Sequence, residues 1–259
     1  MKGKVALVTG STSGIGLGLA TAFAREGADI MLHGLGAPAE VERLRAELER
    51  STGVRVRLHQ ADLSQASEVT RLIRDTEAAL GPVDILVNNA GLQFVSPVES
   101  FPPERWDQLV NVILNASFHA IREVLPSMKQ RGWGRILNLA SVHGLVASPF
   151  KSAYVSAKHA QVGLTKTVAL ELAETAITCN AICPGYVRTA LVEAQIESQA
   201  QVHGLPRERV IREVILAAQP SKRFVEVEEI AALAVFLCSD HARSITGAAL
   251  PIDGGWSAR

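Results

Sequence analysis

Short runs of consecutive apolar residues alternate along this chain with longer stretches in which apolar positions recur every three or four residues. Residues 5–9, 29–33, 54–59, 85–88, 134–139, 177–182 and 249–252 are the apolar runs that read as strands, with 5–8 and 85–87 apolar on both faces as strands covered on both sides are. Between them, stretches such as 39–50, 67–80 and 154–173 carry the helical period. Strands that alternate with crossover helices pair in parallel, with helices on both faces. The pattern predicts one α/β domain over residues 1–259, a doubly wound parallel sheet, with no internal repeat or low-complexity linker to divide it. Ligands in such sheets bind beyond the carboxyl ends of the strands, so the residues just after each strand are the ones to read for chemistry.

Segment 190–222 breaks the rhythm. It is long, polar and helix-prone, and Gly204-Leu205-Pro206 interrupts it. A solvated excursion would read the same way. Its position straight after Pro184-Gly185 favours a helical lid that excludes water on closing.

The first strand runs directly into Gly10-Ser11-Thr12-Ser13-Gly14-Ile15-Gly16, after which the helical period starts at Leu17. Gly10 permits a sharp turn, Gly14 lets backbone approach a pyrophosphate, and Gly16 allows close helix–strand packing, with the helix N-terminus facing the phosphates. The spacing is G-x-x-x-G-x-G rather than the more general G-x-G-x-x-G.

A second constellation follows the fifth strand. Ser141 ends it, and Tyr154-Val155-Ser156-Ala157-Lys158 lies on the next helix, so Tyr154 and Lys158 share one face a turn apart. A free tyrosine, with a pKa of about 10, is a poor base at neutral pH. A nearby ammonium favours the phenolate and moves it toward the working range. With a serine hydroxyl aimed at the same oxygen, this is equipment for reversible alcohol–ketone chemistry, which needs a hydride carrier.

These motifs, together with Asn88-Asn89-Ala90-Gly91, Pro184-Gly185 and Asp253-Gly254-Gly255, resemble the short-chain dehydrogenase/reductase family over essentially the whole chain. The resemblance implies a single-domain Rossmann-like fold, a nicotinamide cofactor and the catalytic set Ser141, Tyr154 and Lys158. Cofactor contacts are implied at residues Gly10, Ser11, Thr12, Ser13, Gly14, Ile15, Gly16, Leu35, Asp62, Leu63, Asn89, Ala90, Gly91, Tyr154, Lys158, Val187 and Thr189. It also implies a homotetramer.

Cofactor choice is usually made just after the second strand, by a carboxylate for the ribose hydroxyls or an arginine for the extra phosphate. Met31-Leu32-His33-Gly34-Leu35-Gly36 supplies neither, so NAD is expected. His33 can hydrogen-bond the ribose or stand at the surface as a strand-end histidine. Asp62 can contact the adenine or merely cap a turn with Ser64.

Gln93, His143, Lys151 and Gln195 surround the Ser/Tyr/Lys set in sequence, giving one cation and three neutral donors suited to a small carboxylate. Similarity to family members acting on short hydroxy acids implies that these four hold the substrate, along with Ser141 and Tyr154. It also implies that Tyr186 and Trp256 form its apolar wall. Two departures stand out. Tyr186 occupies a position where such members carry tryptophan. Ile113 replaces an asparagine that supports a water-linked proton relay from the lysine, which predicts less efficient proton exchange and a gain in turnover for Ile113→Asn. Another small hydroxy acid, a ketoacyl group, or cofactor binding with weak catalysis are the competing readings.

Lys+Arg and Asp+Glu balance at 26 each, which points away from nucleic acid or a membrane surface as partner. Met1-Lys2-Gly3-Lys4 enters the first strand at once, leaving no room for a signal peptide. Cys179, Cys183 and Cys238 lack metal-ligand spacing, and buried thiols in a reducing cytoplasm are expected, with no metal.

Overall fold

The computed structural model describes residues 1–189, 192–193, 196–197, 200 and 204–258. Seven parallel strands form its sheet: β1 (Val5–Val8), β2 (Asp29–His33), β3 (Val56–His59), β4 (Ile85–Asn88), β5 (Gly134–Leu139), β6 (Ile177–Pro184) and β7 (Ala249–Ile252). Their order is β3-β2-β1-β4-β5-β6-β7. All seven strands read from the apolar runs are present. β1 stops one residue early, β3 starts two residues late, and β6 runs on to Pro184.

Two layers of helix cover the sheet. α1 (Gly14–Arg25) and α2 (Pro38–Thr52) lie early in the chain, followed by α3 (Ala66–Leu80), α4 (Pro103–Val110), α5 (Ala116–Arg131), α6 (Ser152–Glu171) and α7 (Val227–Cys238). β1 shows how the apolar runs serve both layers. Ala6 and Val8 join Leu19 and Phe23 of α1 and Ile230 and Leu237 of α7, whereas Val5 and Leu7 join Leu72 of α3, Val124 of α5 and Val168 of α6. The central strands β1, β4, β5 and β6 are buried on both faces, so a polar residue on either needs a partner, whereas the edge strands β3 and β7 are partly exposed.

Strand order reverses between β1 and β4, and the crevice outside their carboxyl ends is where such sheets bind ligands. α4 and α5 are one helical arm joined by a π turn, Asn111–Asn115. Such turns insert a residue into the helical ladder and recur at functional sites. Nothing in the apolar spacing announces it.

In the predicted excursion, Val192–Glu193, Ile196–Glu197 and Ala200 are helical, and Arg207–Arg209 leads into a second π turn, Val210–Ile215. Ile196, Val210, Ile215, Leu216 and Phe224 form a small apolar cluster against Tyr186. Gln195 lies outside the described residues. Among the described residues no helix is long and apolar enough to cross a membrane.

Candidate active site

Three adjoining hollows of about 450, 370 and 230 Å³ run along the carboxyl edge of the sheet. The first and second share Ser13, Asn89, Gly91 and Leu92; the second and third share Ile15, Gln93, Tyr154 and Thr189. They make one elongated cleft, crossing the switch point.

The glycine turn after β1 is tightly built. Gly10 has φ +63°, and a Cβ on Gly16 would stand 2.2 Å from the Gly10 carbonyl oxygen. Only glycine tolerates both demands. Asn89 braces the turn from β4: its Nδ2 donates to the Thr9 and Gly10 carbonyls at 2.9 and 3.0 Å. Thr9 Oγ1 accepts from Asn89 N and Ala90 N in return. Beyond the turn, Ser13 stands at the N-cap of α1 with its side chain unspent on capping, and no acidic residue occupies the first turn. A free helix N-terminus of this kind suits an anionic phosphate. Ser13, Gly14, Ile15 and Gly16 line the middle hollow.

Ser11 faces the core instead. Its hydroxyl donates to Val8 O at 2.7 Å and accepts from His33 N at 2.9 Å, and its N–H donates to His33 O. Its role is to tie the turn to β2. His33 is not at the surface and does not reach into the cleft with a free nitrogen. Nδ1 accepts from Gly10 N at 3.1 Å, so Nε2 carries the proton and donates to Ala61 O at 3.0 Å. Burial holds its pKa below the ordinary histidine value. Both earlier readings of His33 give way to a brace on the glycine turn.

At the first hollow, a Cβ on Gly34 would lie 2.4 Å from Thr12 Oγ1. Thr12 thus fills the place from which a carboxylate would project. Leu35 is exposed beside it, and Asp62 is the one carboxylate in the lining. Asp62 Oδ1 accepts from Ser64 N at 3.0 Å, an Asx turn, while the N-cap position of α3 is Gln65, whose side chain makes no capping bond. The Ser64 bonds hold its carboxyl below the usual range. Leu63, Ala90 and Gly91 complete this end, and among the described residues its lining contains no lysine or arginine.

Ser141 caps the short turn that follows β5, accepting from His143 N at 3.1 Å, and its hydroxyl bonds the Tyr154 phenol. Burial raises the Tyr154 pKa, and the Ser141 bond opposes that rise. Lys158 sits 5.7 Å from the Tyr154 ring centroid and donates to Leu139 O and to Gln161 Oε1. Burial pushes its ammonium down to about 7, so its proton is exchangeable near neutrality.

Gln93, His143, Lys151, Tyr186 and Trp256 line the smallest hollow beside Ser141 and Tyr154, with Val187, Thr189 and Val192 closing it. Tyr186 and Trp256 stack at 5.7 Å, and His143 meets Trp256 edge-on at 5.3 Å. His143 Nε2 is 2.9 Å from Ser148 Oγ. Burial, with Lys151 adding repulsion, lowers its pKa to about 4, so the ring is neutral. Lys151 is the single cation among the described residues of the lining, and burial lowers its pKa too. Its Nζ stands 5.9 Å from the Tyr186 ring. A neutral donor, a neutral ring and one ammonium surround a space walled by stacked aromatics. That is a fit for a small acid with its carboxylate at one end.

Ile113, expected from the sequence beside the lysine, is joined by Gln161, which sequence reading missed. Ile113 is fully buried against Leu109, Ala153, Ala157 and Tyr154 in an apolar cluster. Gln161 holds Lys158; its signal was a polar residue three positions after the lysine on the buried face of α6.

A model described as enoyl-(acyl carrier protein) reductase matches residues 10–257 of the chain. D-beta-hydroxybutyrate dehydrogenase of Rhizobium meliloti is 53% identical over 256 residues, 99% of each chain. The enzyme of the same name from Cupriavidus necator is 52% identical over 260 residues, the whole of each. The structure of L-sorbose reductase from Gluconobacter frateurii, complexed with NADPH and L-sorbose, superposes with a TM-score of 0.94 at 31% identity, covering 100% of this chain and 98% of its own.

Proposed function

This chain is an oxidoreductase of the short-chain dehydrogenase/reductase family, and from that premise we propose that it interconverts (R)-3-hydroxybutyrate and acetoacetate with NAD. The observation that carries the reading is Lys151, the one cation among the described residues lining the small aromatic-walled hollow that also holds the Ser141–Tyr154 pair. Similarity above one half to dehydrogenases named for this substrate supports it.

A nicotinamide cofactor supplies the hydride-accepting carbon. Residues along the first two hollows fit it: the Gly10–Gly16 turn and α1 N-terminus for the pyrophosphate, Asp62 and Leu63 for the adenine end, and Asn89, Tyr154 and Lys158 toward the nicotinamide end. NAD is favoured because no cation lines the Leu35 edge to meet an extra phosphate.

In oxidation, Ser141 positions the substrate hydroxyl and ionised Tyr154 takes its proton as hydride leaves the same carbon. Lys158 stabilises the phenolate, and its proton passes outward. Gln93, His143 and Lys151 hold the carboxylate. Tyr186 and Trp256 enclose the methyl end. Family resemblance further supports a cytoplasmic homotetramer, whose mass light scattering would report.

Turnover of (R)-3-hydroxybutyrate with NAD tests the assignment. Tyr154→Phe should remove nearly all of it while leaving NAD binding intact. Substantial residual turnover in that variant rules out the mechanism, and indifference of the wild type to this substrate rules out the assignment.

A further inference from the structure

Gln161 is fully buried on α6, in the layer between the helix and the arm formed by α4 and α5. Every polar position of its amide is engaged. Oε1 accepts from Lys158 Nζ at 3.1 Å, while Nε2 donates to Ser117 Oγ at 2.9 Å and reaches Ile113 O at 3.4 Å. The orientation is forced, because an ammonium can only donate and a carbonyl can only accept. Ser117 Oγ passes its own proton to Ile113 O at 2.7 Å, which leaves it free to accept from Gln161. Ile113 belongs to the π turn. A buried amide costs free energy unless fully paired, and its neighbours Ala157 and Val162 show that the layer accepts apolar side chains.

We propose that Gln161 is a positioning residue, whose amide holds the Lys158 ammonium against Tyr154 and ties it to Ser117 and the main chain of the π turn. It supplies the polar support for the lysine that the apolar side chain of Ile113 does not. The inference rests on the reading of Tyr154 and Lys158 given above.

The groups facing Lys158 make the role necessary. Among the described residues, Tyr154 approaches from its own helix and Cys183 from β6, β5 offers the Leu139 carbonyl, and the α4–α5 arm is tied to it through Gln161. Burial pushes the Cys183 thiol up to about 11, so it carries no counter-charge near neutrality. Two neutral oxygens, Leu139 O and Gln161 Oε1, are thus the acceptors for a buried cation. Loss of one disfavours the ammonium and, through it, the phenolate.

The chain has two tyrosines, so in a Tyr186→Phe background the ultraviolet absorbance of tyrosinate titrates Tyr154 alone. Adding Gln161→Met should raise that midpoint by about one pH unit, a tenfold smaller ionised fraction at fixed pH. In the otherwise unchanged enzyme, Gln161→Met should move the acid limb of kcat for oxidation upward by a similar step, with KM for NAD within about twofold. Ser117→Ala, which frees the far end of the amide but leaves its oxygen on Lys158, should produce a smaller shift in the same direction, and it carries the test if Gln161→Met does not fold. Wild-type midpoints and acid limbs in the folded variants overturn the proposal. Lys158→Met run alongside separates the two readings. If it abolishes turnover while Gln161→Met keeps the wild-type profile, the role of Gln161 alone falls; if it keeps turnover, the catalytic assignment itself falls.

Discussion

Replacing Lys151 by alanine isolates the recognition of the substrate's charge from the chemistry at Tyr154. Lys151 is the only cation lining the small hollow, and no carboxylate among the described residues pairs with it. A bound carboxylate therefore meets one ammonium and the neutral donors Gln93 and His143. Removing one partner of a fully buried pair costs about 3–5 kcal/mol. Lys151 is only half-buried, and solvent screening brings the figure to about 2–3 kcal/mol. At about 1.4 kcal/mol per factor of ten, kcat/KM for 3-hydroxybutyrate should fall about 30- to 150-fold. The carboxylate keeps its charge throughout the reaction, so the contact binds ground and transition states alike, and the loss should appear mainly in KM. An uncharged secondary alcohol of similar size lacks the group that Lys151 holds, and its kcat/KM should change by less than about threefold. Lys151 caps no helix N–H with its side chain, so stability should stay within about 0.5 kcal/mol of wild type. Equal losses with acid and alcohol at unchanged stability would refute the reasoning, because the lysine would then be acting through the cofactor or the catalytic set.

Cofactor choice should respond to the exposed edge of the first hollow: Leu35→Arg should shift the kcat/KM ratio toward NADP without lowering the melting temperature, and an unmoved ratio would show that the phosphate is read elsewhere. His143 titrates at about 4 in the folded chain, below the 6.5 of an unburied histidine, so its contribution to stability is complete above pH 6.5 and is lost as pH falls toward 4. The amount is of order 3 kcal/mol, and urea unfolding across that range should show a flatter profile for His143→Asn, with an identical profile contradicting the assignment. Ile113→Asn should cost about 2–4 kcal/mol in urea unfolding and bring no gain in turnover, because its side chain packs on Leu109, Ala153 and Ala157 and Gln161 already serves Lys158; higher turnover at wild-type stability would restore the sequence expectation.

The central strands were legible because they are apolar on both faces, and that demand falls on individual residues. Val5, Leu7 and Ala6, Val8 must each satisfy a different layer, so the apolar run itself records the burial. The catalytic pair was legible for a related reason, since Tyr154 and Lys158 stand on one helix and four-residue spacing alone fixes their common face. The glycine turn was legible where backbone geometry excludes every other side chain, as at Gly16. What stayed hidden depends on contacts between distant segments. Ser11 and His33 sit where cofactor contacts belong, yet each is consumed by the other and by Gly10, Val8 and Ala61. No local pattern distinguishes a histidine that braces a turn from one that reaches a ribose.

Ile113 and Gln161 make the same point more sharply. Read singly, an isoleucine in the place of an asparagine looks like a missing relay member, and a glutamine on the buried face of α6 looks like a misplaced polar residue. They are 48 positions apart in sequence and meet where Gln161 Nε2 reaches the Ile113 carbonyl. The π turn contributes a main-chain oxygen there, which any side chain at position 113 would leave in place. Polarity lost from one helix is thus present on the other, with Ser117 between them. A buried lysine requires acceptors, whichever helix supplies them. The feature lies in the pairing and not in either residue, and only the fold brings its two halves into one view.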